Sequence, residues 1–262
     1  MKKSIIPLLA IIVTMTASAT VHAGVLVNYF AVTETNTLTG QTATADFSFI
    51  DGTTLRIVLT ETTTSTSVTE QSDLIATAIG FAPSLLPSGF TPVISGSTVV
   101  INSGSVSHNF TLGDLVAGDD VSGEWGATTG AKPNGFLSGT WFWVGSLTPN
   151  IVRFSGVNRN KAESLNGPEG GVSNIAPSTI SELGYIRNSV VIELKLSSGA
   201  GLTSAQQTAF LSGVGTASFV EWGSDAAFGV AVPEPSSIIL LVLGGFGLFG
   251  YGVRRRKTPL AA

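Results

Sequence analysis

The sequence predicts an all-β protein whose body is a single β-sandwich or jelly roll. Three observations carry this. Beyond Gly24, apolar residues recur with a period of two rather than 3.6, as strands buried on one face require. The runs are short, and several begin about 8–12 residues apart, which suits antiparallel sheets better than alternating strands and helices. Between them stand Gly, Asn, Ser and Pro, the residues that supply turn geometry. The composition fits: 43% of the 262 residues are hydrophobic, enough for a sizeable core. Only 11% are charged, against about 25% in ordinary globular chains.

Along the chain, the first segment is not part of that body. Met1-Lys2-Lys3, an apolar run over 5–13 and then Val21-His22-Ala23 predict a secretory signal peptide, residues 1–23, cut between Ala23 and Gly24. The ectodomain follows over 24–231. Ala43, Ala45, Phe47 and Phe49 form one alternating run, and Leu55, Ile57 and Leu59 form the next. Asp51-Gly52 between them predicts a hairpin with one inward face. Fifteen threonines between Thr33 and Thr77 give an uncharged, hydrogen-bonding strand surface. Residues 72–80 fit a helix about as well as a strand. Further strands are expected over 99–101, 106–112, 141–147, 151–157, 190–196 and 217–222. One helix is expected over 205–211, with a Ser204/Gln207 capping box and Gly213 as its stop. No internal repeat recurs at a fixed period.

The last segment, 232–257, has three parts in order. Val232-Pro233-Glu234-Pro235-Ser236 leads into an apolar run over 238–253, and Arg254-Arg255-Arg256-Lys257 follows. Counted from Ser236, the run gives about 27 Å of helix at roughly 1.5 Å per residue, enough to cross a hydrocarbon core. Gly244, Gly245, Gly247, Gly250 and Gly252 suit close approach by another membrane helix. The basic cluster holds this end in the cytoplasm, as Lys2 and Lys3 hold the other during export. Pro233 and Pro235 fix φ and keep the helix from growing outward, so the Pro-Glu-Pro stretch is expected to be extended and accessible at the membrane face.

Those three parts resemble the PEP-CTERM sorting signal. The resemblance implies a substrate of exosortase, a membrane-embedded enzyme that cuts such tails near Pro233-Glu234-Pro235, and a Gram-negative, exopolysaccharide-making host. Arg254, Arg255 and Arg256 stand as its basic stop. A second resemblance lies in the ectodomain. Residues 165–172, 186–194 and 219–225 are similar to blocks of one group of PEP-CTERM surface proteins, whose aromatic-Gly pair stands here as Trp222-Gly223. That group is not known for an enzymatic activity, and it carries over no functional residue.

Several chemistries are excluded. The absence of cysteine rules out disulfides, Cys-ligated metals and a cysteine nucleophile. Residues 24–232 hold 7 basic and 16 acidic side chains, a net charge of −9, which argues against nucleic-acid binding. Beyond the signal peptide His108 has no second histidine to share a metal with. Asp114, Asp119, Asp120 and Glu124 lie in a Gly-rich loop and form a weak Ca²⁺ candidate, although their spacing matches no EF-hand. Trp141 and Trp143 share one face of a strand, either as core or as a platform for stacking sugar rings.

The expected molecule is therefore not an enzyme and uses no cofactor. It is an exported surface protein of the extracellular (biofilm) matrix, with a structural or adhesive role beside exopolysaccharide. The alternative is a lectin-like carbohydrate-binding module built on Trp141 and Trp143, and behind it a carboxylate-based hydrolase. Expected partners are exosortase, signal peptidase and the general export machinery, with exopolysaccharide or a second copy of the chain. The inner membrane holds the protein transiently before it reaches the cell surface.

Overall fold

The computed structural model describes residues 24–32, 38–64, 71–110, 113–131, 139–146, 152–156, 170–175, 184–197, 200–223 and 227–232. The expected signal peptide, Pro-Glu-Pro stretch, membrane helix and Arg cluster lie outside them. No helix among the described residues is long and apolar enough to cross a membrane.

The alternation in the sequence becomes strands. β1 (Val25–Val32) turns Val27, Tyr29 and Ala31 inward, and β2 (Leu38–Asp51) does the same with Ala43, Ala45, Phe47 and Phe49. β3 (Thr54–Glu61) buries Leu55, Ile57 and Leu59. The hairpin between β2 and β3 closes on Asp51, whose Oδ1 accepts the Thr53 amide at 2.7 Å. The Thr53 hydroxyl donates to the same oxygen and holds the Asp51 carboxyl below its usual range. Residues 72–80 divide into a 3₁₀ turn, Gln71–Leu74, and β4 (Ala76–Phe81), all six of whose residues are buried. A strand covered on both faces has no alternation, which is why its period is ambiguous.

β5 (Pro92–Ile101), β6 (Val106–His108), β7 (Gly126–Ala131), β8 (Thr140–Gly145) and β9 (Val152–Arg153) follow. Then come β10 (Val172–Ser173), β11 (Tyr185–Arg187) and β12 (Ser189–Leu196). The helix α1 (Ser204–Val214) starts one residue earlier than expected. Its capping box is Thr203 with Gln206: the Thr203 amide donates to Gln206 Oε1 at 2.9 Å. Gln207 does not complete a box with Ser204, because its side chain is buried and donates to the Leu202 carbonyl. β13 (Ser218–Trp222) and β14 (Ala227–Val232) complete the order.

Among the described residues these strands form one fourteen-stranded sheet, ordered β5-β12-β3-β2-β1-β14-β13-β4-β10-β11-β6. β8 joins beside β4 and carries β7, which carries β9. The expectation of a β-sandwich is corrected here to a continuous sheet curled into a half-barrel. Connectivity forces the curl. β11 and β12 stand near opposite ends of the order, yet only Asn188 separates them, with φ +75°. β5 and β6, the two ends themselves, are joined through residues 102–105. Such bent strands are how one sheet turns a corner onto itself. The concave side is filled by α1, whose Phe210 ring lies 5.5 Å from Phe49 and 5.1 Å from Phe81, edge-on to both. Phe49 and Phe81 sit on strands separated in the sheet by β1, β14 and β13, so the same ring reaches across the curl.

Candidate functional site

The residues singled out by sequence do not converge. His108 lies on β6, half-buried, its ring 5.5 Å from Tyr185. The acids of the Gly-rich loop build turns. Asp119 Oδ2 accepts the Val116 amide at 2.9 Å, and Asp120 Oδ1 accepts the Ser122 amide at 2.8 Å. Asp114 Oδ1 takes the Phe110 amide at 3.4 Å, while Glu124 is buried. Among the described residues no group of three or more His, Asp or Glu that could hold a metal is found. Trp141 and Trp143 do share the outer face of β8. Trp143 is 4% exposed and packs with Ala78 and Phe219. Trp141 is half-buried and meets Phe219 edge-on at 5.4 Å. The pair is a small second core on the outer face, and a flat platform of two exposed rings is not present.

What the sheet does bring together is a buried polar stitch. Residues 55, 57, 59 and 61 of β3 all point inward, so Glu61 follows three apolar residues into the core and is 1% exposed. Its Oε1 accepts the Thr63 amide at 2.9 Å and the Thr63 hydroxyl. Its Oε2 accepts the Asn174 amide at 2.7 Å, just beyond β10. Its own amide donates to the Asn188 carbonyl at 3.0 Å, at the kink between β11 and β12. The indole of Trp222 on β13 favours the charged form without closing a hydrogen bond of normal geometry. Burial outweighs these donors and raises the carboxyl from 4.5 to about 6. One side chain thus ties β3 to β10, strands far apart in the sheet order. Nearby, Thr77 Oγ1 donates to the Gly223 carbonyl at 2.8 Å, fixing the Trp222-Gly223 pair against β4.

The second junction is at the sheet's centre. β14 is an inner strand, with Val230 opposite Phe30 of β1 and also opposite Phe219 of β13. Its last residue, Val232, still pairs with Asn28, and Pro233 comes next. Residues 231–257 match the family model of the PEP-CTERM protein-sorting motif. The chain carries a PEP-CTERM sorting motif. No curated protein and no solved structure matches the chain. The PEP-CTERM motif marks exosortase-dependent sorting of a surface protein, with export and a membrane-associated sorting region. Its first two residues, Ala231 and Val232, belong to β14. Pro233, Glu234, Pro235 and Arg254, Arg255 and Arg256 lie outside the described residues, as does Ala23; Gly24 is exposed at the start of β1. Sequence reading alone misses β14, although the run Ala227-Phe228-Gly229-Val230-Ala231-Val232 before a proline is its signature.

Proposed function

We propose that the chain is an exported matrix or adhesive protein of the cell surface, cut by exosortase near Pro233-Glu234-Pro235 and acting beside exopolysaccharide without catalysis. The observation that carries this reading is the shared strand: the PEP-CTERM motif begins inside β14, so the sorting segment continues directly from the folded body. The non-enzymatic part rests on the sequence, which offers residues 24–232 a single histidine and no cysteine to serve as tuned base or nucleophile. The abundant threonine and the net charge of −9 over the same residues suit weak, repeated contact with a hydrated polymer, strengthened by multivalent display.

Mass spectrometry of the protein from exosortase-bearing cells tests the reading. The mature form is expected to lack residues 238–262, and an intact C-terminus rejects it. Replacing Pro233, Glu234 and Pro235 together by alanine is expected to leave export intact and hold the protein in the inner membrane.

A further inference from the structure

A ring of hydrogen bonds closes across the curl beside Glu61. Gln41 of β2 sends its Nε2 to the Asp73 carbonyl at 3.1 Å, in the 3₁₀ turn before β4. That turn is tied to β10, where the Ser173 hydroxyl donates to the Leu74 carbonyl at 2.7 Å. The next residue, Asn174, gives its amide to Glu61 Oε2 and its Nδ2 to the Thr63 carbonyl at 3.4 Å. Thr63 brings the ring back to β2, its Oγ1 accepting the Thr42 amide at 3.0 Å. Continuing the register from Ala43 opposite Glu61 sets Gln41 across from Thr63, the residue that holds Glu61 Oε1.

One acceptor in this ring is unused. Gln41 is 2% exposed, and its Oε1 is buried without a hydrogen-bond partner. An ionised Glu61 cannot serve it, because a carboxylate only accepts. A protonated Glu61 has one hydrogen to give, while Thr63, Asn174 and the Trp222 indole all meet the carboxyl as donors. The ionisable residues on the elements around it are Asp73 of the turn, Glu221 of β13, and Tyr185 and Arg187 of β11. Asp46, Arg56 and Glu193 alternate to the outer face. None of these acts on the Glu61 titration, which is set by burial and by the three donors. We propose that protonated Glu61 donates to Gln41 Oε1, and that this bond latches the 3₁₀ turn and β10 against β2 and β3, so that the curl closes on a proton.

Ionisation removes the donor, leaves Gln41 Oε1 unsatisfied and buries a charge on which no cation among the described residues acts. The upward titration, from 4.5 to about 6, has the sign that a bond made only by the neutral form requires. The latch is therefore closed below about pH 4.5 and loosens as pH rises through about 6, a gap that corresponds to about thirty-fold in the opening equilibrium. The test reads amide hydrogen exchange residue by residue in the full chain, corrected for the intrinsic rate at each pH. Protection of the Thr63 and Asn174 amides is expected to fall about thirty-fold between about pH 4.5 and 7.5, and to be insensitive to low urea, as a local opening exposes little surface. Glu61→Gln, which always has a hydrogen to give, is expected to keep that protection at every pH. A flat wild-type profile overturns the latch. So does a urea dependence as steep as that of the Ile192 amide in β12, which would place the exchange in global unfolding. Infrared spectroscopy at low pH tests the partner. The C=O stretch of protonated Glu61, identified as the band that Glu61→Gln removes, is expected to rise in Gln41→Met, which keeps the length and lacks the acceptor; an unmoved band overturns the assignment. If neither variant folds, the wild-type exchange profile decides.

Discussion

Glu61 is the buried side chain that joins β3 to Thr63 and to the amide just beyond β10. Its carboxyl titrates near 6 in the fold instead of 4.5, because burial penalises the charge more than Thr63, Asn174 and Trp222 relieve it. Between those values the native state holds a proton that the unfolded chain has released. The stabilisation is therefore full below about pH 4.5 and is lost as pH rises through about 6. Its size is about 2 kcal/mol. Glu61→Gln is expected to flatten the stability profile across this window, read from urea midpoints at a series of pH values. A slope equal to wild type would show that another group titrates there. The residue was legible in the sequence by parity, since 61 continues the inward row of 55, 57 and 59. Its partners were not, because Asn174 and Trp222 come from more than a hundred residues away. The acids that did stand out, Asp114, Asp119 and Asp120, cap local turns, the usual work of Asp in a Gly-rich loop.

At the scale of elements, the strands that were easy to read are those with one buried face, such as β2 and β3. The hard ones break that pattern for physical reasons. β4 is buried on both sides, and β7, Gly-Ala-Thr-Thr-Gly-Ala, has too few large apolar residues to show alternation. α1 was placed but framed one residue late, since which glutamine reaches back depends on which one the core claims. β4 also explains how Trp143 and Phe219 pack on the outer face. Gly80 lies opposite both Phe219 and Trp143, and the Phe219 ring lies over it. A Cβ added there would meet that ring and come within 2.8 Å of the Phe142 carbonyl oxygen. Backbone cannot give way as a flexible side chain can, so Gly80→Ala is expected to destabilise the fold by about 1–3 kcal/mol, measured by chemical denaturation. A variant as stable as wild type would mean that β4 and β8 can separate without loss.

For the whole molecule, local periodicity could establish that the chain is β-rich but not that its strands close into one sheet. Closure depends on β1 and β14, about two hundred residues apart, lying side by side at the centre. The same arrangement makes the start of the body and the start of the sorting segment neighbours. It also sets a limit on where the chain can be shortened. A chain running from 24 to 232 keeps every described strand, and it is expected to give a β-type circular dichroism spectrum and a single cooperative melt, independent of reducing agent because cysteine is absent. Stopping at 226 removes only six residues more, but they are β14, and both β1 and β13 lose the partner between them. Two open edges then replace an inner strand, the hydrogen bonds of Phe30 and Val220 to that strand have no substitute, and the curl around Phe210 loses its continuity. The shorter chain is expected to lose the cooperative melt and to aggregate. If it melts like the longer one, β14 is dispensable, and a sorting cut upstream of Val232 would be compatible with the fold. Loss of the transition places any cut that leaves a folded product beyond residue 226, within or after β14.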